Sequence, residues 1–229
     1  MIEIPTIKLE LYQQDPQQFS QQLGQALETL GVAQVDGFKQ HLVDELYENS
    51  EEAFARYKRG QLVRYLNDDP NKNLGQYVQT LVFTELFTCT PTLDPVAGEV
   101  KQNLKEIYEK VTTGLSAYKK DLCFYPFNHQ PDLILRKYSL EGDDLSSPEN
   151  APTEIMVIKE HYDASKITIA PKATAPGLEG YIDEEWVPLS PDHGNALIFT
   201  GNNCIRPLKH RVMAYSPFAK LRKTLICRV

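Results

Sequence analysis

The chain has 229 residues, 41% of them hydrophobic, enough for one sizeable core, so a single domain over 1–229 is the expectation. Lysine and arginine total 24 against 31 aspartates and glutamates, a net charge of −7 with the bases spread out, which argues against nucleic acid as a partner. The opening MIEIPTIKLELY carries acids where a leader needs bases, and no apolar run nears the ~18 residues of a membrane span, so a soluble, cytoplasmic protein is expected.

In chain order, the first part, 1–125, reads as mostly helical. Phe19, Leu23, Ala26, Leu27 and Leu30 share one face of a 3.6-residue period, and Gly31 closes that helix before the short apolar run Val32 to Val35. Leu42, Leu46, Ala53 and Phe54 predict a second helix. Asp94-Pro95 opens a third, whose stripe runs from Val100 through Leu104, Ile107, Val111 and Leu115 to Leu122. These stripes are core faces.

After Pro126 the pattern changes. DLILRKYSL, MVIKEHYD, SKITIAP, LEGYI, EWVPLSP, NALIFTG, HRVMAYS and KTLICRV are short segments rich in β-branched and aromatic residues, separated by Pro, Gly, Asn and Asp. The expected fold class is therefore α+β: a jelly-roll core over 126–229 with the helical part packed against it. The polar, acidic stretch Leu140 to Thr153 reads as a surface loop, mobile in the absence of a substrate. Cys89, Cys123, Cys204 and Cys227 form no C-x-x-C pair and read as reduced, mostly buried thiols.

Within the strand-rich part, His161 and Asp163 are two apart and would share one side of a strand, facing inward on a jelly-roll. A His-x-Asp triplet alone arises by chance about 0.3 times in such a composition, so the pair carries little by itself. His210, at the start of a later strand-like run, changes that. Two neutral imidazoles and one carboxylate form the non-haem Fe(II) facial triad, which leaves coordination positions open for substrate, cosubstrate and dioxygen. Arg222 and Thr224 again share one strand face. An inward guanidinium needs an anion, and its fork fits a carboxylate; the Thr224 hydroxyl and that of Tyr138, on an earlier strand, would add donors. His41, His129 and His193 read as solvated or partly exposed. Asp68-Asp69 and Asp143-Asp144 read as turn residues, and Arg136, Lys137 and Lys166 either touch an acidic substrate or lie on the surface.

These residues, in this order, resemble the isopenicillin N synthase-like branch of the Fe(II)/2-oxoglutarate-dependent dioxygenases. Ile4-Pro5-Thr6-Ile7 is similar to that family's opening motif, and Leu30-Gly31-Val32-Ala33-Gln34-Val35 to its first glycine-led strand. Gly177-Leu178-Glu179, Trp186-Val187-Pro188-Leu189, Ala196-Leu197-Ile198-Phe199-Thr200-Gly201 and His210-Arg211-Val212 follow in the family's order. The resemblance implies a double-stranded β-helix in which His161, Asp163 and His210 bind Fe(II), while Arg222, Thr224 and Tyr138 bind the distal carboxylate of 2-oxoglutarate. It further implies oxidation of a small-molecule substrate by O2, chiefly hydroxylation with desaturation or ring closure open to the same oxidant, and release of succinate and CO2. Thr224 stands where the family has serine, Asn202 where aspartate is usual, and Arg136-Lys137-Tyr138-Ser139 replaces an N-Y-Y-P-P stretch. Many relatives continue into further helices past the arginine strand, so a site that is more open, or closed by a partner, is expected here. Two alternatives stay open: an Fe(II) oxidase of the same fold that needs no 2-oxoglutarate, and a non-catalytic jelly-roll module that binds metal or a small acid. The substrate, contacted by loops such as Tyr65 to Tyr77, and the oligomeric state are not readable.

Overall fold

Strand β1 (Thr6–Ile7) runs parallel to β2 (Val32–Val35), and α1 (Leu11–Gln14) and α2 (Pro16–Leu30) lie between them. The computed structural model describes residues 2–58, 78–83, 93–127, 132–138, 154–202, 204–215 and 222–229. The loops Tyr65 to Tyr77 and Leu140 to Thr153, His129, Cys89 and the two Asp pairs fall outside those residues. Asp15 caps α2 by accepting the Gln18 N–H, and Pro16 takes the first helical position, where its missing N–H costs nothing. Gly31 ends the helix at φ 74°, its N–H on the Leu27 carbonyl.

The single helix expected around Leu42 to Phe54 is two, α3 (Gln40–Asn49) and α4 (Glu51–Lys58). They meet at Ser50, fully buried, whose hydroxyl donates to the Tyr47 carbonyl at 2.8 Å, a local bond that competes with helix continuation. Strand β3 (Val78–Phe83) follows, within the part expected to be mostly helical. Helix α5 (Leu93–Tyr118) stops short of Leu122, whose N–H turns back onto the Lys119 carbonyl.

All eight strand-like segments after Pro126 form strands: β4 (Asp132–Tyr138), β5 (Glu154–His161), β6 (Ile167–Pro171), β7 (Leu178–Ile182), β8 (Glu185–Pro188), β9 (Ala196–Thr200), β10 (His210–Tyr215) and β11 (Arg222–Arg228). They join two sheets, one of seven strands in the order β1-β2-β9-β6-β11-β4-β3, the other of four in the order β5-β10-β7-β8. The result is a mixed helix and sheet structure.

The larger sheet is covered on both faces, which explains why every residue of β6 and β9 is buried rather than every second one. On one face Leu135, Ile169, Ile198 and Leu225 share a core with Phe19, Leu27, Leu46, Leu104 and Leu115 of the helices. On the other, Ala170, Leu197 and Phe199 pack with Ile182, Leu189 and Leu208, which belong to or flank the smaller sheet. Burial of that much apolar area, at roughly 25 cal/mol per Å2, is the main force holding the two sheets and the helices together. Between the sheets the apolar filling thins out around Tyr138, Val157 and Val212, and a cavity opens there.

Candidate metal centre and cosubstrate pocket

His161 ends β5 and His210 begins β10, and the two are register partners across the antiparallel pair. Their rings lie 4.2 Å apart. Each Nδ1 meets the carbonyl two residues back, His161 that of Lys159 at 2.8 Å and His210 that of Leu208 at 3.1 Å. A carbonyl only accepts, so each Nδ1 carries a proton, and in the neutral ring that leaves the lone pair on Nε2. This is the orienting bond that metal-binding histidines commonly make.

The i, i+2 spacing predicts that Asp163 shares a strand with His161; instead β5 stops at His161 and the carboxylate comes from the following turn. That turn is pressed against the end of β9. The Asn202 N–H donates to the Asp163 carbonyl at 2.8 Å, and a Cβ on Gly201 would stand 2.5 Å from the same oxygen and 2.0 Å from the Ser165 carbonyl, so only glycine fits. Thr168 on β6 donates its hydroxyl to Asp163 Oδ2 at 2.6 Å. The other oxygen, Oδ1, is 3.7 Å from His161 Nε2 and 3.9 Å from His210 Nε2. These spacings are too long for hydrogen bonds and short enough for one ion to draw the atoms together. Among the described residues this is the one group of three such side chains, its ligand atoms all within 4.8 Å.

Asp163 and His210 are each 5% exposed, whereas His161 sits at the cavity mouth. Burial pulls the His210 imidazole below its ordinary pKa, with the neighbouring His161 and Arg136 acting in the same direction against Asp163. The ring is thereby kept neutral, the form that ligates. Phe199 packs edge-on against it at 5.0 Å.

The opposite wall is built by β4 and β11. Their register pairs Arg222 with Tyr138 and Thr224 with Arg136, and all four side chains line the cavity. Arg222 is 8% exposed; its Nε donates to the Ala175 carbonyl at 3.0 Å and its guanidinium stacks over the Tyr138 ring at 5.1 Å. Arg222 Nη1, the Tyr138 hydroxyl and Arg136 Nε are buried with no hydrogen-bond partner among the described residues. Burial presses the Arg222 pKa down. Gly177 makes room for it: at φ 145° and with a Cβ position 2.3 Å from the Met213 carbonyl, no larger residue fits beside the guanidinium. Ile158, Leu178 and Val212 give the cavity an apolar side.

The structure thus brings together His161, Asp163, His210, Arg222, Thr224 and Tyr138 at one cavity. Arg136 joins them. Lys137 faces away and binds Glu51 at 2.6 Å, and Lys166 donates to the Cys123 carbonyl beside Phe124 and Tyr125. His41 is exposed, and exposed His193 stands 3.9 Å from Asp44. Of the described cysteines, Cys227 is buried and Cys204 partly so, but Cys123 is exposed, against expectation. Thr168 was not legible as a site residue, since threonine is an ordinary strand residue and its tie to Asp163 appears only in three dimensions.

No protein-family model matches the sequence, and no curated protein matches it. Solved structures do. A Caulobacter crescentus protein assigned to the 2OG-Fe(II) oxygenase family superposes with a TM-score of 0.73 at 18% identity, over 100% of this chain and 87% of that one. The fold is that of the 2-oxoglutarate/Fe(II) oxygenases. The dioxygenase for auxin oxidation 1 of Arabidopsis thaliana, bound to 2-oxoglutarate, gives 0.70 at 16% identity over 99% and 92% of the two chains. A full-length Neurospora crassa protein in complex with alpha-KG gives 0.73 at 11% over 98% and 84%. The oxygenase fold agrees with the resemblance read from the sequence motifs.

Proposed function

We propose that this chain is an Fe(II)/2-oxoglutarate-dependent oxygenase of a small-molecule substrate, built as one domain with a double-stranded β-helix. The observation that carries the reading is the convergence, in one cavity, of a His-Asp-His group with a buried guanidinium whose Nη1 lacks a partner among the described residues. The two-sheet strand order and the fold of the 2-oxoglutarate-bound neighbours support it.

The donor set fits the metal. His161 Nε2, His210 Nε2 and Asp163 Oδ1 would hold Fe(II), each oriented by a bond on its other polar atom. Arg222, with the Tyr138 and Thr224 hydroxyls beside it, would grip the distal carboxylate of 2-oxoglutarate, satisfying atoms that are otherwise costly to bury. When bound, iron and 2-oxoglutarate supply oxidation of a substrate C–H bond by O2, coupled to release of succinate and CO2. The protein's share would be positioning: Arg222 would hold the distal carboxylate, His161, Asp163 and His210 would hold the metal, and Phe199, Leu178 and Val212 line the space between with apolar surface.

The Neurospora crassa neighbour is seen with thymine and with 5-formyluracil, which supports a small organic substrate here without naming one. The test is a screen of small molecules under air with Fe(II), scored by mass spectrometry. Substrate-dependent succinate, formed one for one with oxidised product and absent in His210→Ala, is the expected result; product without succinate would move the reading to the oxidase alternative.

A further inference from the structure

We infer that Arg136 is the anchor for a carboxylate on the primary substrate, so that this oxygenase acts on an organic acid. The inference rests on the proposed function for the assignment of Arg222 to 2-oxoglutarate, and on three observations of its own.

The first is position. Arg136 and Thr224 form the cavity-facing rung of the β4–β11 ladder next to that of Tyr138 and Arg222, about 7 Å along the strands. It lines the same cavity as His161, Asp163 and His210 on one side and Arg222 on the other. The second is an unmet need. Arg136 Nε is buried without a hydrogen-bond partner among the described residues, although the neighbouring Lys137 and Lys223, on the other face of the same strands, both reach Glu51. The third is charge balance. Among the described residues Asp163 is the one carboxylate lining the cavity, against Arg136, Arg222 and Arg228. Arg228 has interactions of its own and is left out of the balance. A divalent iron offsets a doubly charged 2-oxoglutarate, and Asp163 offsets one guanidinium. One positive charge remains on half-buried Arg136, whose Nε is cut off from water, and a substrate carboxylate would relieve it. A guanidinium recognises that group through paired N–H donors.

The test uses the whole chain loaded with Mn(II), which is inert to turnover, with and without 2-oxoglutarate. Calorimetry compares two acids with their amides, hexanoate with hexanamide and phenylacetate with phenylacetamide, on the parent, Arg136→Gln and Arg136→Lys. In the parent at least one acid should bind tenfold or more tighter than its amide, the lower range for a charged hydrogen bond. That preference should fall to about twofold or less in Arg136→Gln, survive in part in Arg136→Lys, and leave 2-oxoglutarate affinity within about threefold. Equal binding of acids and amides by the parent, or a preference that persists in Arg136→Gln, would overturn the inference. So would a tenfold loss of 2-oxoglutarate affinity in Arg136→Gln, which would make Arg136 part of the cosubstrate's own anchor. Failure of the parent to bind 2-oxoglutarate would instead sink the proposed function, while the acid-amide comparison run without cosubstrate still reads Arg136.

Discussion

The two faces of the β4–β11 ribbon carry similar residues in opposite conditions. On the helix side, Lys137 and Lys223 converge on Glu51 at 2.6 and 2.7 Å, and Lys223 also donates to the Tyr47 carbonyl. On the cavity side, Arg222 and Arg136, on the same two strands, keep nitrogens with no partner among the described residues. Strand alternation makes this possible, since neighbours along a strand face opposite ways. Cations that the fold itself satisfies read as structure, and cations that it leaves unsatisfied read as sites awaiting a ligand.

The largest break in that comparison comes from the metal group across the cavity. His161→Ala or His210→Ala should remove most Fe(II) or Mn(II) binding, measured by elemental analysis after desalting, because the remaining two donors make a poor site. Full metal stoichiometry in both variants would place the ion elsewhere. Next is Arg222→Lys. Lysine keeps the charge without the fork, so 2-oxoglutarate affinity of the Mn(II) protein should fall by roughly 10- to 150-fold, the range of about 1.5–3 kcal/mol for a charged hydrogen bond. Metal affinity should hardly move.

Stability sharpens the contrast between the faces. Arg222→Met removes a buried charge with an unmet donor, which offsets the loss of its Nε bond to the Ala175 carbonyl, and should leave the ligand-free protein about as stable as the parent in urea. Lys223→Met removes one of the two donors to the Tyr47 carbonyl, Ser50 being the other, together with the ion pair to Glu51, and should cost about 0.5–1.5 kcal/mol. The reverse ranking would mean that the cavity arginine is satisfied within the fold after all.

The smallest effect concerns pH. Burial raises the Glu51 pKa, but the hydrogen bonds from Lys137 and Lys223 outweigh it and bring the net value below the ordinary 4.5. The unfolded chain therefore takes up the proton first as pH falls, so this clamp contributes stability above about pH 4.5 and loses it below. Urea midpoints measured from pH 6 to 3.5 should drop less steeply in Glu51→Gln than in the parent. Identical slopes would mean that half-exposed Glu51 holds its lysines too loosely to matter.

Much of this was legible in the sequence, for local reasons. The eight strands after Pro126 are cut apart by Pro, Gly, Asn and Asp, and Gly31 ends α2 by its left-handed geometry. The His-Asp-His group was legible because its residue types are rare in strands and their spacing is short or framed by motifs. What was hidden depends on contacts remote in the chain. The turn that carries Asp163 off the strand is set by the end of β9, and Thr168 reaches Asp163 only because β6 folds back beside it. Glu51 meets Lys137 and Lys223 from a different part of the chain, and no periodicity marks it. Arg136, Lys137 and Lys223 look alike as sequence, and only the pleat sorts them to opposite faces.

The central claim is that the metal group and Arg222 together form a seat for 2-oxoglutarate. Titrating 2-oxoglutarate into the anaerobic Fe(II) protein and recording the visible spectrum tests it most directly. A charge-transfer band that saturates at one equivalent, vanishes in His210→Ala and needs far more 2-oxoglutarate in Arg222→Lys is the predicted result. No band in the parent, with iron demonstrably bound, would contradict it.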